Sequence, residues 1–173
     1  MTSENLFEGE HLLFRRRRGW EFCEHRTAKE SVMVVAVTED RRIVLVEEFR
    51  PAVNAPVVCI PAGLVGDEGP EDRETAARRE LVEETGWVAA SLEPLGRGPG
   101  SAGMSSEIVH FYLARGVRPA GRQGDRERVE IRVHVVPLDG LPAWARAREE
   151  EGMLVDPKVW AGVHLAGIRG VLA

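Results

Sequence analysis

The chain has few cysteines and no long apolar run. Its two cysteines, Cys23 and Cys59, each lie in a strand-like apolar segment without the spacing of a metal site, so we expect buried free thiols. No apolar stretch approaches the roughly 20 residues that a membrane span needs. The N-terminus is too polar for a secretory signal peptide. We therefore expect a cytoplasmic protein that does not associate with membranes.

An excess of positive charge is also absent. The formal net charge of −5 argues against general nucleic-acid binding. A protein of this charge that acts on a phosphorylated anion needs local cations at its site, either a metal ion or arginine side chains. With 43% hydrophobic and 29% charged residues, the 173-residue chain is typical of one soluble globular domain, with room for a short appended arm.

Residues 1–28 are predicted to form that arm, and residues 29–173 the main domain. Residues 9–26 read as two short strands of an antiparallel β-hairpin around Gly19. Such a hairpin is marginal alone, so it should pack on the main domain or on a second subunit. The run from Arg15 to Arg18 is either a phosphate-binding patch or a solvated edge that discourages aggregation, with even weight on both.

The main domain mixes strands with helices. Residues 31–38, SVMVVAVT, are too continuously apolar for a strand with one wet face and predict a buried central strand. The glycine-rich segment 96–103 is expected to lie close to a ligand. Strands are followed by one helix, further strands and two final helices, which predicts an α+β layered domain with a mixed sheet. The remaining predicted elements are strands at 43–46, 57–60, 88–95, 108–113 and 130–136, and helices at 72–86, 141–150 and 156–168.

Three glutamates are concentrated on the middle helix. At about 100° per residue, Glu80 and Glu84 share one helical face and Glu83 lies beside them. Like charges at this spacing destabilise a helix by a few tenths of a kcal/mol per pair, and a bound divalent cation would remove the conflict. The alternative is a solvated acidic face on which Arg79 pairs with Glu83. The strand and glycine-rich loop that precede the helix favour a site.

The same helix and loop resemble the Nudix box. That pattern is Gly, five residues, Glu, seven residues, Arg-Glu, an aliphatic residue, any residue, Glu-Glu, any residue, Gly and an aliphatic residue. Glu71 and the REXXEE segment at 79–84 match it in register. Val65 stands where the leading glycine is expected, which indicates a two-residue insertion between Gly63 and Glu71. Trp87 is bulkier than the usual closing aliphatic residue.

Features outside the box resemble ADP-ribose pyrophosphatases and related nucleoside-diphosphate-sugar hydrolases. They are Phe49-Arg50-Pro51 at the end of a strand, Pro61 to Leu64 before the box, Ser101-Ala102-Gly103 followed by Ser105-Ser106-Glu107, and an acidic loop before the strand IRVHVV. The Ser-Ala-Gly loop lacks the proline of the family's Ser-Pro-Gly.

The resemblance implies the Nudix fold, an α/β/α sandwich with a mixed β-sheet, here with the N-terminal hairpin added. It implies that Glu80 and Glu84 hold Mg²⁺, or Mn²⁺ in its place, with the Ala62 carbonyl as a further ligand. Glu83 would orient or join this cluster, and Arg79 would hold Glu83 by a charge-assisted pair.

The resemblance also implies a general base on a loop, at Glu127 with Glu130 close behind. Relatives exchange the N-terminal hairpin in a two-fold dimer, so we expect a homodimer in which the partner contributes to the site. The implied substrate contacts are Arg50 and Glu107 at the diphosphate and ribose, Ser101 and Gly103 in the loop, and Trp20 and Glu21 at the base.

The implied reaction is Mg²⁺-dependent hydrolysis of the diphosphate bond of ADP-ribose, giving AMP and ribose 5-phosphate. One alternative keeps the chemistry and changes the substrate to GDP-mannose, another nucleoside diphosphate sugar or FAD. The other is a Nudix-fold module that senses a nucleotide without hydrolysing it, although such a sensor has no need for a metal-binding triad.

Overall fold

The computed structural model describes residues 2–67, 69–120 and 130–170. Within those ranges the strands are β1 (Glu4–Glu8), β2 (Leu12–Arg17), β3 (Trp20–His25), β4 (Glu30–Val37), β5 (Arg42–Arg50), β6 (Ala55–Cys59), β7 (Ala62–Leu64), β8 (Trp87–Val88), β9 (Ser91–Pro99), β10 (Ile108–Arg115), β11 (Arg118–Pro119), β12 (Arg132–Pro137) and β13 (Leu154–Val155). The helices are α1 (Arg73–Thr85), α2 (Leu141–Glu150) and α3 (Pro157–Ile168).

The main sheet is mixed and has eight strands. Its order is β13-β6-β5-β4-β10-β9, with β12 paired to β5 and β7 paired to β4. The β10–β4 and β13–β6 pairs are parallel, and the other pairs are antiparallel. β4 therefore lies inside the sheet, which confirms the buried central strand that its sequence predicts.

Both faces of β4 are buried because alternate side chains enter two different cores. Val32 and Val34 belong to a cluster that includes Ala77 and Leu81 of α1. Met33 and Val35 belong to a second cluster that includes residues of α2 and α3. Helices thus cover the sheet on both sides, and the predicted α+β layered architecture is confirmed.

Both ends of α1 are capped, close to the predicted helix bounds of 72 and 86. The Asp72 Oδ1 accepts a hydrogen bond of 2.8 Å from the Thr75 N–H. Gly86 has a φ of +71° and donates its N–H to the Val82 carbonyl at 2.8 Å. The caps end the helix, and the packing of Ala77 and Leu81 against β4 orients it.

The N-terminal arm is a three-stranded antiparallel sheet, β1-β2-β3, rather than the predicted two-stranded hairpin. The turn between β2 and β3 is at Arg18 and Gly19, which both have positive φ. β1 was not predicted because most of its side chains are exposed. Arg16 pairs across strands with Glu4 at 3.4 Å and Glu21 at 2.8 Å.

This arm contacts the main domain of the same chain. The Cys23 N–H donates to the Met104 carbonyl at 2.7 Å, and the Ser106 N–H donates to the Cys23 carbonyl at 3.1 Å. The indole Nε1 of Trp20 donates to the Gly103 carbonyl at 3.0 Å. β3 is therefore held against the loop that follows β9.

Several boundaries differ from the sequence predictions, most clearly around the glycine-rich segment. The predicted strand 88–95 is divided into β8 and β9, and β9 continues through Gly96 and Gly98 to Pro99 because β10 pairs with it along this length. Half of the predicted glycine-rich ligand loop is thus strand.

No helix of the described residues is long and apolar enough to cross a membrane.

Candidate active site

A cavity of about 1230 Å³ opens between the carboxylate face of α1 and the strand ends around it. β3, β4, β5, β6, β7 and the start of α3 also line it. The carboxyl side chains among its described lining residues are Glu48, Asp67, Glu80, Glu84, Glu107 and Asp156. Among the described lining residues, only Arg50 and Lys158 carry a permanent positive charge.

Arg79 holds two of the glutamates of α1. Its Nη1 donates to the Glu80 Oε1 at 2.8 Å and to the Glu83 Oε2 at 3.2 Å. Its Nη2 and Nε reach the two oxygens of Glu71 at 2.7 and 3.2 Å. The hydrogen bond to Glu71 contributes most to raising the pKa of Arg79. Arg79 therefore fixes the carboxylates of α1 relative to the preceding loop.

The loop between β7 and α1, where the sequence predicts an insertion, also contacts Arg79. The Arg79 Nη2 contacts the Leu64 carbonyl at 3.2 Å and the Asp67 Oδ1 at 3.1 Å. The Gly66 N–H donates to the Glu71 Oε1 at 3.0 Å, and Gly66 has a φ of +83°. The loop thus turns at a left-handed glycine, and Glu71 still reaches Arg79.

Gly63 is required because Glu80 occupies the space where a side chain would begin. A Cβ at Gly63 would lie 1.8 Å from the Glu80 Oε1. A side chain at position 63 would therefore displace the Glu80 carboxylate.

Glu80 and Glu84 are almost completely buried, with 1% and 5% of their surfaces exposed. The Glu84 Oε2 accepts a hydrogen bond from the Ala62 N–H at 3.0 Å. The pKa of the Glu84 carboxyl is raised to about 7, chiefly by burial and also by the charges of Glu80 and Glu48, while the hydrogen bond from Ala62 and the charge of Arg50 lower it. A nearby cation would favour the charged form of both carboxyls.

These carboxylates fit a hard divalent cation. Mg²⁺ prefers oxygen ligands and commonly takes one or two carboxylates together with substrate phosphates. No group of three His, Cys, Asp or Glu side chains is placed to hold a metal within the described ranges. Glu80 and Glu84 would therefore supply part of a ligand set, and Ala62 lines the same cavity.

The predicted substrate residues are only partly brought together. Arg50 and Glu107 line the cavity, and the Arg50 Nη2 pairs with the Glu48 Oε2 at 2.9 Å. Ser101 and Gly103 do not line it: the Ser101 carbonyl accepts two backbone N–H groups in a turn, and Gly103 is exposed.

Trp20 and Glu21 also lie away from the cavity of their own chain. Trp20 is 64% exposed, and Glu21 pairs with Arg16. The arm instead contributes Cys23 and His25 to the cavity wall. The predicted general base, Glu127, lies outside the described residues.

Comparison with known proteins identifies the family. The NUDIX domain family matches residues 27–154. The chain belongs to the Nudix hydrolase family. A crystal structure of an ADP compounds hydrolase shares the Nudix fold, with a TM-score of 0.72 at 19% identity over 99% of this chain and 95% of that one.

Three curated relatives are similar in sequence. The chain is 30% identical to an ADP-sugar pyrophosphatase of Mus musculus over 93% of this chain and 84% of the relative. It is 42% identical to an ADP-ribose pyrophosphatase of Bacillus subtilis over 49% of this chain, and the match spans only 44% of the relative. It is 26% identical to a GDP-mannose pyrophosphatase of Cronobacter sakazakii over 99% of this chain and 94% of the relative.

Sequence reasoning missed several charged residues of this Nudix cavity. Glu48 stands two residues before Arg50 on the same strand, so strand alternation already places both side chains on one face. Asp67 belongs to the inserted loop. Asp156 and Lys158 read as an ordinary helix start, and only the pairing of β13 with β6 brings them to the cavity.

Proposed function

We propose that this Nudix protein hydrolyses the diphosphate bond of ADP-ribose or a related nucleoside diphosphate sugar in a Mg²⁺-dependent reaction, with Mn²⁺ able to replace Mg²⁺. The observation that carries the proposal is the buried pair Glu80 and Glu84, held by Arg79 and Ala62 on the wall of a large cavity. The cavity volume of about 1230 Å³ is ample for a nucleotide sugar.

In this proposal Glu80, Glu84 and the Ala62 carbonyl hold the divalent cation. When bound, that cation neutralises phosphate charge and lowers the pKa of a coordinated water. Arg79 keeps Glu80 and Glu83 in place, so that Glu83 orients or joins the cluster.

The substrate is held by residues on the other cavity walls. Arg50 donates to the diphosphate and Glu107 accepts from ribose hydroxyls. Glu107 is supported by its own loop, since its N–H donates to the Ser105 Oγ at 3.0 Å. Ser101 and Gly103 shape that loop in the single chain, and direct contact with the substrate would require the loop to approach it.

Water attacks one phosphorus of the diphosphate, its proton passes to a general base, and the bridging oxygen leaves with the other phosphate. ADP-ribose would give AMP and ribose 5-phosphate. We propose Glu127 as the base, with Glu130 as the neighbouring candidate. Glu127→Gln and Glu130→Gln distinguish the two candidates. The substitution that removes the general base should lower turnover at unchanged substrate affinity, and the other substitution should change neither turnover nor affinity.

The test of the activity is a substrate panel with metal variation. ADP-ribose, GDP-mannose, UDP-glucose and FAD are compared under identical Mg²⁺ and Mn²⁺, with products identified by chromatography. We expect cleavage of ADP-ribose to a nucleoside monophosphate and a sugar phosphate. A clear preference for GDP-mannose would support the second candidate, which the relative from Cronobacter sakazakii favours. Tight nucleotide binding without cleavage would indicate a sensor instead.

The assigned metal site is tested by two isosteric substitutions on α1 and a matched control. Glu83→Gln and Glu84→Gln should lower turnover by roughly 100-fold or more, because single groups that position a transition state contribute at this scale. Glu74→Gln removes the same charge from an exposed position of the same helix and should leave turnover near the wild-type rate. Near-wild-type rates for both Glu83 and Glu84 variants would refute the assignment.

We further propose that residues 1–28 form a dimerisation arm of a cytoplasmic homodimer. Phe7 and Trp20 are large apolar side chains that are 66% and 64% exposed on the arm, and a partner subunit would cover them. In such a dimer Trp20 and Glu21 would meet the nucleobase in the partner's cavity. Light scattering tests the dimer, and a monomeric wild type with full activity would refute it.

A further inference from the structure

Lys158 lines the cavity from the first turn of α3. It is far from the Nudix box in the sequence. Its Nζ is 2.7 Å from the Asp156 Oδ2, and its N–H donates to the Asp156 Oδ1 at 2.8 Å. About a third of the Lys158 side chain remains exposed. The Lys158 side chain is therefore paired with Asp156 and partly exposed at the cavity wall.

The backbone fixes this end of α3 to the sheet. β13 runs parallel to β6 with Val155 opposite Val58, and the Asp156 N–H donates to the Val58 carbonyl at 2.9 Å. The helix can approach closely because Gly162 faces Val35, whose side chain would be 2.8 Å from a Cβ at that position. Lys158 thus sits on a rigid element.

Cys59 connects this end of α3 to the metal end of the cavity. The thiol is 5% exposed, and burial raises its pKa to about 12, with Glu84 and Asp156 raising it and Arg50 lowering it. Cys59, Glu84 and Arg50 line the same cavity as Asp156 and Lys158.

The cavity is lined by more carboxyl groups than cations, so each cation matters for binding an anion. Six carboxyl groups and two permanent cations line it among the described residues, so that a diphosphate meets a surplus of negative charge. Arg50 is partly neutralised by Glu48 at 2.9 Å. A second cation at the cavity would raise the affinity for a polyanion in addition to the metal.

We propose that Lys158 is a substrate-binding residue whose ammonium contacts a phosphate oxygen of the nucleoside diphosphate in exchange for its pairing with Asp156. This inference rests on the proposed function for the identity of the ligand. It adds a contact from α3, outside the box and outside the residues that the sequence pattern assigned.

The test is ADP binding at saturating Mg²⁺, measured by calorimetry for wild type and three lysine variants. Lys158→Gln should weaken ADP binding about tenfold, since a hydrogen bond to a charged group is of this size. Lys158→Arg should stay within about threefold. Lys29→Gln makes the same change of net charge at the chain's other lysine, which is exposed and does not line the cavity, and should bind ADP as the wild type does.

Asp156→Asn tests whether weaker ADP binding by Lys158→Gln only reflects damage to α3. Asn remains a good N-cap, and the substitution removes the carboxylate that competes for Lys158, so ADP should bind about twofold more tightly. Damaged folding does not produce tighter binding.

For hydrolysis of ADP-ribose, Lys158→Gln should raise KM about tenfold with kcat within about twofold, as expected for a contact present in both ground and transition states. ADP binding by Lys158→Gln at the wild-type affinity, or an equal loss in Lys29→Gln, would overturn the inference while leaving the proposed function intact. A wild type that binds ADP through Lys158 but cleaves no member of the substrate panel would overturn the proposed function and leave the Lys158 contact standing.

Discussion

Glu84→Gln should stabilise the metal-free protein at alkaline pH while it removes activity. The native Glu84 carboxyl has a pKa raised to about 7 chiefly by burial, whereas an unfolded glutamate titrates near 4.5. Between these values the native state binds more protons than the unfolded state, so the free energy of unfolding falls as the pH rises. Below about pH 4.5 both states are protonated and the group has no effect.

The size of the effect follows from the pKa difference. Each pKa unit corresponds to about 1.4 kcal/mol. A carboxyl whose pKa is raised from 4.5 to about 7 therefore destabilises the native state by roughly 3 kcal/mol once the pH exceeds the native value. Gln has the same shape and no charge, and its amide oxygen can still accept from the Ala62 N–H.

The assay is denaturant unfolding in EDTA at pH 4.5 and pH 8. The variant and the wild type should be nearly equal at pH 4.5, and Glu84→Gln should be more stable at pH 8 by up to roughly 3 kcal/mol. Saturating Mg²⁺ should stabilise the wild type and have less effect on the variant, because ligand binding to the native state alone raises its stability. Glu74→Gln, on the exposed side of α1, should show no such pH dependence. A Glu84→Gln protein that is less stable than wild type at pH 8 in EDTA, or a difference that does not change with pH, would refute the reasoning.

Three further outcomes are expected. Gly63→Ala places a Cβ 1.8 Å from the Glu80 Oε1 and should lower Mg²⁺-dependent turnover about 100-fold in a folded protein. Gly98→Ala, whose Cβ would have no neighbour within 4 Å, is the control and should stay active. Equal turnover by the two variants would contradict the close approach of Glu80 to Gly63. The Cys59 thiol, with its pKa raised to about 12, should react with a thiol reagent at pH 8 only after unfolding, and rapid modification of the native protein would contradict its burial. Gly86→Ala should lower the free energy of urea unfolding by about 1 kcal/mol because the position has a φ of +71°, and an unchanged midpoint would show that the cap is not strained by a side chain.

The local features of α1 could be predicted from the sequence because they depend on neighbours in the chain. Capping at Asp72 and Gly86 involves residues three or four positions away, and the shared face of Glu80 and Glu84 follows from helical periodicity. The continuous apolar run of β4 likewise predicted a strand buried on both faces.

Long-range pairing decided the rest. Pairing with β10 kept Gly96 and Gly98 in a strand, although their composition predicted a loop. Docking of β3 on the loop after β9 turned Trp20 toward Gly103 rather than into its own cavity.

The sequence by itself determined the Nudix box, its register and the chemistry that three close carboxylates allow. Only the tertiary structure decided which groups share the cavity with them. Gly63 is needed because Glu80 reaches it from another element, and Lys158 enters the site because β13 pairs with β6. Spacing along a helix fixes one wall of a site, whereas the opposite walls depend on contacts between residues far apart in the chain.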